Sequence, residues 1–136
     1  MKVFELKKAN KIGRLVLNGI YLEAHEMETV SLLRRYGFDI EMVRPNNTPK
    51  SDNPDMVMMG TIWEMKAPKS TNKKTLKKRV HKASLQSGYV VFDLRRIDGE
   101  MRSEVEREIL KRFMDKSTLR RMLIVRSNDE VVDFRK

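Results

Sequence analysis

The run Tyr89-Val90-Val91-Phe92-Asp93-Leu94 restricts the fold more than any other stretch of the chain. It is apolar almost throughout, and it is bounded by Gly88 on one side and by Arg95 and Arg96 on the other. A near-continuous apolar run of this length suits a strand buried at the centre of a sheet. Its neighbours have a different period. Before it, Leu76, Val80, Ala83 and Ser87 line one side of a helix, while Lys74, Lys77, Lys78, His81 and Lys82 take the other. Ser70, Thr71 and Asn72 offer the cap and Gly88 ends the helix. After it, Ser103 and Glu106 form a capping-box pair for a helix to about Met114, burying Val105, Ile109, Leu110 and Phe113. Met122–Val125 and Val131–Phe134 read as closing strands.

Upstream, Val3–Leu6 and Arg14–Leu17 read as short strands around a basic turn containing Gly13. Leu22–Tyr36 is a helix with Leu22, Val30, Leu32, Leu33 and Tyr36 on one side and Gly37 as its stop. Phe38–Val43 alternates apolar and acidic residues, a strand with one wet face. The loop Pro45–Pro54 follows and is expected near a site. Asp55–Met59 and Thr61–Ala67 then form a hairpin around Gly60. The order βαβββαβαβ is that of an α/β fold with a hairpin between two helices, not of a regular alternating βα chain.

A chain of 136 residues is long enough for one domain with its own core. With no cysteine, disulfides, zinc knuckles and thiol nucleophiles are excluded, so any metal must sit on oxygen or imidazole ligands. Met1–Leu6 is followed by Lys7, Lys8 and Lys11 where a signal peptide would continue apolar, and no segment approaches a membrane span. A soluble, cytoplasmic protein is expected. The formal charge of +10 is unevenly placed. Met65–Phe92 holds no acidic residue but contains Lys66, Lys69, Lys73, Lys74, Lys77, Lys78, Arg79 and Lys82. Segregated base of this kind attracts a phosphate backbone, whereas mixed charge reads as a solvated face.

Chemistry enters at the hairpin. In the strand from Thr61, Glu64 and Lys66 project from one face. If the turn is Met59-Gly60, Asp55 lies opposite Glu64; if it is Gly60-Thr61, Asp55 faces Lys66. Either register places Asp55 on that same face. Two carboxylates at the head of a hairpin suit Mg²⁺ or Mn²⁺, and an adjacent lysine can neutralise charge developing on phosphorus. An isolated Glu-x-Lys is commonplace in a sequence that is 35% charged, and the surface ion pair it forms is worth little. The upstream Pro54-Asp55 gives the pair its weight. Glu26 falls between Leu22, Val30 and Leu33 on the wheel of the first helix, where a carboxylate needs a cation or a metal.

With Pro54-Asp55, Glu64-Met65-Lys66 and an upstream helical Glu26, the sequence resembles the PD-(D/E)xK nuclease superfamily. More closely, His25-Glu26 through Gly37, Asn53-Pro54-Asp55, Trp63 through Pro68, the basic helix with Ala83 and Gln86, and Tyr89 through Asp93 resemble the C-terminal tRNA-nuclease toxin domain of contact-dependent inhibition (CdiA) proteins. The resemblance runs from about Leu22 to Val132. It implies a restriction-endonuclease-like αβββαβ core, a central mixed β-sheet flanked by helices. It also implies metal-binding carboxylates at Asp55 and Glu64, a catalytic Lys66, Glu26 completing the metal network and Gln86 as a polar auxiliary. Cofactors would be Mg²⁺ or Mn²⁺.

The expected partners are nucleic acid, RNA (tRNA) ahead of DNA, and an immunity protein, with Lys69, Lys73, Lys74, Lys77, Lys78 and Lys82 on the backbone. Those toxins form the tips of very large secreted proteins, whereas a free-standing chain is expected here. A DNA endonuclease of the same fold and a non-catalytic basic nucleic-acid-binding module are the alternatives.

Overall fold

A computed structural model describes residues 1–44 and 54–136, so most of the Pro45–Pro54 loop lies outside the described residues. The elements in chain order are β1 (Lys2–Glu5), β2 (Leu15–Val16), α1 (Ala24–Arg35), β3 (Ile40–Val43), β4 (Asp55–Met58), β5 (Thr61–Lys66), α2 (Lys73–Gln86), β6 (Tyr89–Asp93), α3 (Arg102–Asp115), β7 (Arg121–Val125) and β8 (Val131–Arg135). The fold is therefore mixed α/β, and α1-β3-β4-β5-α2-β6 runs in the expected αβββαβ order. No described helix is long and apolar enough to cross a membrane. The chain forms two compact units, one of Lys7–Trp63 and one of Met1–Leu6 with Glu64–Lys136; β5 gives its first half to the former and its second half to the latter.

In the Lys7–Trp63 unit the strand order is β2-β3-β4-β5, with β2 parallel to β3 and the other pairs antiparallel. Met56 pairs with Trp63 and Met58 with Thr61, so the hairpin turns on Met59-Gly60, the first of the two expected registers. Both turn residues have positive φ, 55° and 72°, the geometry of the tight turn whose twist matches paired strands. Ile40, Met42, Met56, Met58 and Trp63 are buried, as are Val30, Leu32 and Leu33 of α1. The buried Trp63 indole donates to the Met58 carbonyl at 3.0 Å, which removes the cost of hiding its N–H. Gly13 sits against the backbone of Phe38, where a Cβ would come within 1.9 Å of the carbonyl oxygen.

In the second unit the order is β1-β8-β7-β6-β5, with β5-β6 and β6-β7 parallel and the outer two pairs antiparallel. The apolar run is β6, an interior strand of these five with a parallel neighbour on each side. Val90, Phe92, Met122, Ile124, Val132 and Phe134 form a core with Leu76, Val80 and Ala83 of α2 and Val105, Ile109 and Phe113 of α3. Each helix buries the stripe its periodicity announced. The register pairs Glu64 with Val90 and Lys66 with Phe92, which puts both charged residues on the helix-covered face.

β1 and β2, the strands on either side of the Gly13 turn, take separate partners, β8 and β3. One expectation fails. The Ser103/Glu106 capping box does not form: Met101 precedes α3, and Glu106 instead takes both Nε and Nη2 of Arg126 at 2.7 and 2.6 Å. A bidentate guanidinium outbids one backbone N–H.

Candidate active site

Residues two apart on a strand share a face, so Glu64 and Lys66 project together from β5. Their side chains are 14% and 11% exposed, and Lys66 Nζ lies 3.2 Å from Glu64 Oε1. This is not the freely solvated pair that a random Glu-x-Lys would give, and low local dielectric strengthens it. Gln86 ends α2, just before the Ser87 cap and the glycine that opens the short turn into β6. With its amide oriented to satisfy both ends, its nitrogen donates to Glu64 Oε1 at 3.0 Å and to Oε2 at 3.1 Å. The carboxylate is thus fixed from two sides, by an ammonium on its own strand and by an amide on the covering helix.

The C-terminal end of β5 is braced by a residue the sequence reading missed. Arg96 donates through Nη1 to the Ala67 carbonyl, next to Lys66, at 3.0 Å. Its neighbour Arg95 is spent on structure, bonded to Asp93 at 2.8 to 3.2 Å and to Asp129 at 3.0 Å. Hydrogen bonding to Asp93, reinforced by Asp129, holds the Arg95 guanidinium above its ordinary pKa despite partial burial. Two arginines directly after a buried strand were the available signal.

The remaining candidates fall as follows. Lys73, Lys74, Lys77, Lys78 and Lys82 are all exposed on α2, and Lys69 is exposed in the loop before it. Asn72 caps α2 through Oδ1, which accepts from the N–H of Lys74 and Thr75 at 3.0 and 3.2 Å, while Ser70 Oγ accepts from Asn72 N–H. In the Lys7–Trp63 unit, Asp55 opens β4 and pairs with Val43. Glu26 lies in the first turn of α1, half-buried, and accepts from the Glu23 N–H at 2.9 Å. Among the described residues, no three Asp, Glu or His side chains gather as a ready metal cage. The structure brings together Glu64, Lys66 and Gln86.

Comparison with known proteins adds the following. No curated protein matches. Among solved structures the chain is similar to the CdiA-CT/CdiI toxin and immunity complex from Burkholderia pseudomallei, with a TM-score of 0.67 and 15% identity over 91% of this chain and 100% of that one. At that identity the likeness shows a shared fold. The model of the contact-dependent growth inhibition CdiA C-terminal domain matches residues 51–131, more than half of the sequence and inclusive of Asp55, Glu64, Lys66 and Gln86. The chain belongs to the CdiA C-terminal domain family.

Proposed function

We propose that this protein is a toxin nuclease of PD-(D/E)xK type that hydrolyses phosphodiester bonds in nucleic acid with the help of Mg²⁺ or Mn²⁺, RNA and tRNA in particular. The observation that carries the reading is the half-buried Glu64–Lys66 pair with Gln86 clamped on its carboxylate, in a chain of this family. A surface ion pair has no need of burial or of a third residue. Asp55 supplies the second carboxylate and Glu26 supports the network in this proposal.

The donor set fits a hard cation. Glu64 and Asp55 offer oxygen ligands, and Mg²⁺ ordinarily takes one or two carboxylates and completes its shell with water and substrate phosphate, so a three-residue protein cage is not required. A bound divalent cation supplies Lewis-acid neutralisation of the phosphate charge. Lys66 does the rest of the electrostatic work: its ammonium, held beside Glu64, faces the charge that grows on the phosphoryl oxygens during in-line attack. Gln86 keeps the Glu64 carboxylate from rotating. The lysines of α2 hold the polyanion through sequence-tolerant phosphate contacts.

The similar structure is a toxin with its immunity protein, which supports a cognate immunity partner for this chain as well. Incubation of the purified protein with total tRNA, plasmid DNA and single-stranded DNA, each with Mg²⁺, Mn²⁺ or EDTA, tests the activity. Cleavage of tRNA that EDTA abolishes is expected. Binding without turnover under every metal would favour the non-catalytic module, and cleavage confined to plasmid would make it a DNA endonuclease. The double variant Lys77→Ala/Lys78→Ala is expected to weaken RNA binding alike for all sequences and to flatten the log–log salt dependence by about two. Filter binding across a salt series measures it.

A further inference from the structure

The nuclease reading leaves unused a cavity of about 500 Å³ that lies wholly within the Glu64–Lys136 part of the chain. It opens where β6 and β7 end and α3 begins, the C-terminal side of parallel strands where α/β sheets take their ligands. Its volume is in the range of small-molecule sites. Three arginines line it: Arg102, Arg107 and Arg126. The one carboxylate among them, Glu106, is already neutralised, with both oxygens held by Arg126. Among the described residues neither Arg102 nor Arg107 is paired with an acid, so the cavity keeps two uncompensated positive charges.

Arg102 is also preorganised. Its Nε donates to the carbonyls of Leu94 and Ile97, and its Nη2 to that of Arg95, which fixes the plane of the guanidinium. The opposite character is present too, since the partly buried Leu110 gives the cavity an apolar side. Cations beside an apolar wall match a nucleotide, phosphate to the arginines and base to Leu110.

Two adjacent residues reach from the cavity toward the candidate active site. The carbonyl of Arg95 is held by Arg102, and the side chain of Arg96 holds the carbonyl of Ala67, next to Lys66. We propose that this cavity is a subsite for a nucleotide flanking the bond to be cut, its phosphate on Arg102 and Arg107 and its base against Leu110. This rests on the nuclease reading for the word flanking; the nucleotide site itself does not.

The probe is a nucleoside 5′-monophosphate titrated by calorimetry into the full chain carrying Glu64→Gln, with inorganic phosphate as the comparison. Saturable binding, tighter for the nucleotide than for phosphate, is expected. Arg107 is exposed, so Arg107→Glu should fold as the parent does and weaken the nucleotide by about tenfold or more. Ser103→Glu, exposed in the first turn of α3, puts a carboxylate into the same cavity and should act in the same direction. Nucleotide binding that neither variant alters would overturn the proposal, as would binding lost only when lysines of α2 are changed.

In cleavage assays Arg107→Ala should lower kcat/KM on oligonucleotides and leave a phosphodiester that carries no nucleotide, bis(4-nitrophenyl) phosphate, at the wild-type rate; equal losses on both would overturn the subsite. Should the wild-type chain cleave nothing while an Arg107-sensitive nucleotide site persists, the nuclease reading fails and the site stands. Should cleavage depend on Glu64 and not on Arg107, the reverse holds.

Discussion

Glu64→Gln is expected to lower phosphodiester cleavage by about a thousandfold or more while the protein melts within a few degrees of wild type. The substitution removes one negative charge and almost no volume. Its amide still fills the space between Lys66 and Gln86, so a loss of rate reports electrostatics and not packing. Lys66→Met makes the complementary change, keeping the aliphatic stem and deleting the ammonium, and should fall to a similar level. Lys66→Arg should recover little, since a planar fork cannot place its charge where a compact ammonium stood. Gln86→Ala tests a residue that acts through Glu64: a drop of about ten- to a hundredfold is expected, with weaker dependence on substrate concentration than on metal concentration. Asp55→Ala asks separately whether the second carboxylate belongs to the site. Cleavage by Glu64→Gln at the wild-type rate would end the case for hydrolysis at this pair. A collapse of the melting curve would point to a structural role for it.

Where the fold was legible, local physics decided it. The run at Tyr89–Leu94 became an interior strand between β5 and β7, and the stripe Leu76, Val80, Ala83 became the face of α2 that packs on it, because burial acts on those residues wherever they sit. Glu64 and Lys66 meet for an equally local reason, the two-residue repeat of a strand. Their burial was not legible, because it depends on α2 covering that face. Gln86 was named from the resemblance alone; from the residues it looked like a helix-end polar group.

Glu106 shows the converse. Its spacing from Ser103 satisfied the capping pattern, yet Arg126, twenty residues on, took the carboxylate. Glu26 shows a second limit of periodicity. Its angle on the wheel put it in the apolar stripe, but the first turn of a helix leaves N–H groups unpaired, and Glu26 accepts one of them from Glu23. Arg102 and Arg107 belong to the same class of omission, since a cavity formed by three elements leaves no signature in any one of them.

The largest effect on stability is expected at Asp133, far from these acids in the chain. It lies in the middle of β8, opposite Leu123 of β7, and is fully buried. Two guanidinium groups hold it: Arg121 from β7, with Nε and Nη2 at 3.0 and 2.7 Å, and Arg135 from its own strand at 3.1 and 2.9 Å. One carboxylate thus serves two cations. Asp133→Ala takes away the buried carboxylate that both arginines hold, and breaking a buried ion network from one side ordinarily costs about 3–5 kcal/mol. The arginines are 20% and 44% exposed and Arg135 also stacks 4.6 Å from the Phe4 ring, so each retains some water or aromatic contact. The lower end of the range, about 3 kcal/mol, is therefore the expected loss, a fall of roughly 10 °C in Tm for a chain of this size. Asp133→Asn, which keeps one acceptor oxygen and the shape, should lose less. Removing the charges together, as in Asp133→Leu with Arg121→Met and Arg135→Met, should restore much of the stability that Asp133→Ala loses, because the penalty lies in cations left without their buried carboxylate and not in the absence of an ion pair. Urea and thermal melts of the three variants separate these outcomes; an Asp133→Ala protein as stable as wild type would mean that the cluster contributes nothing to holding β7 and β8 together.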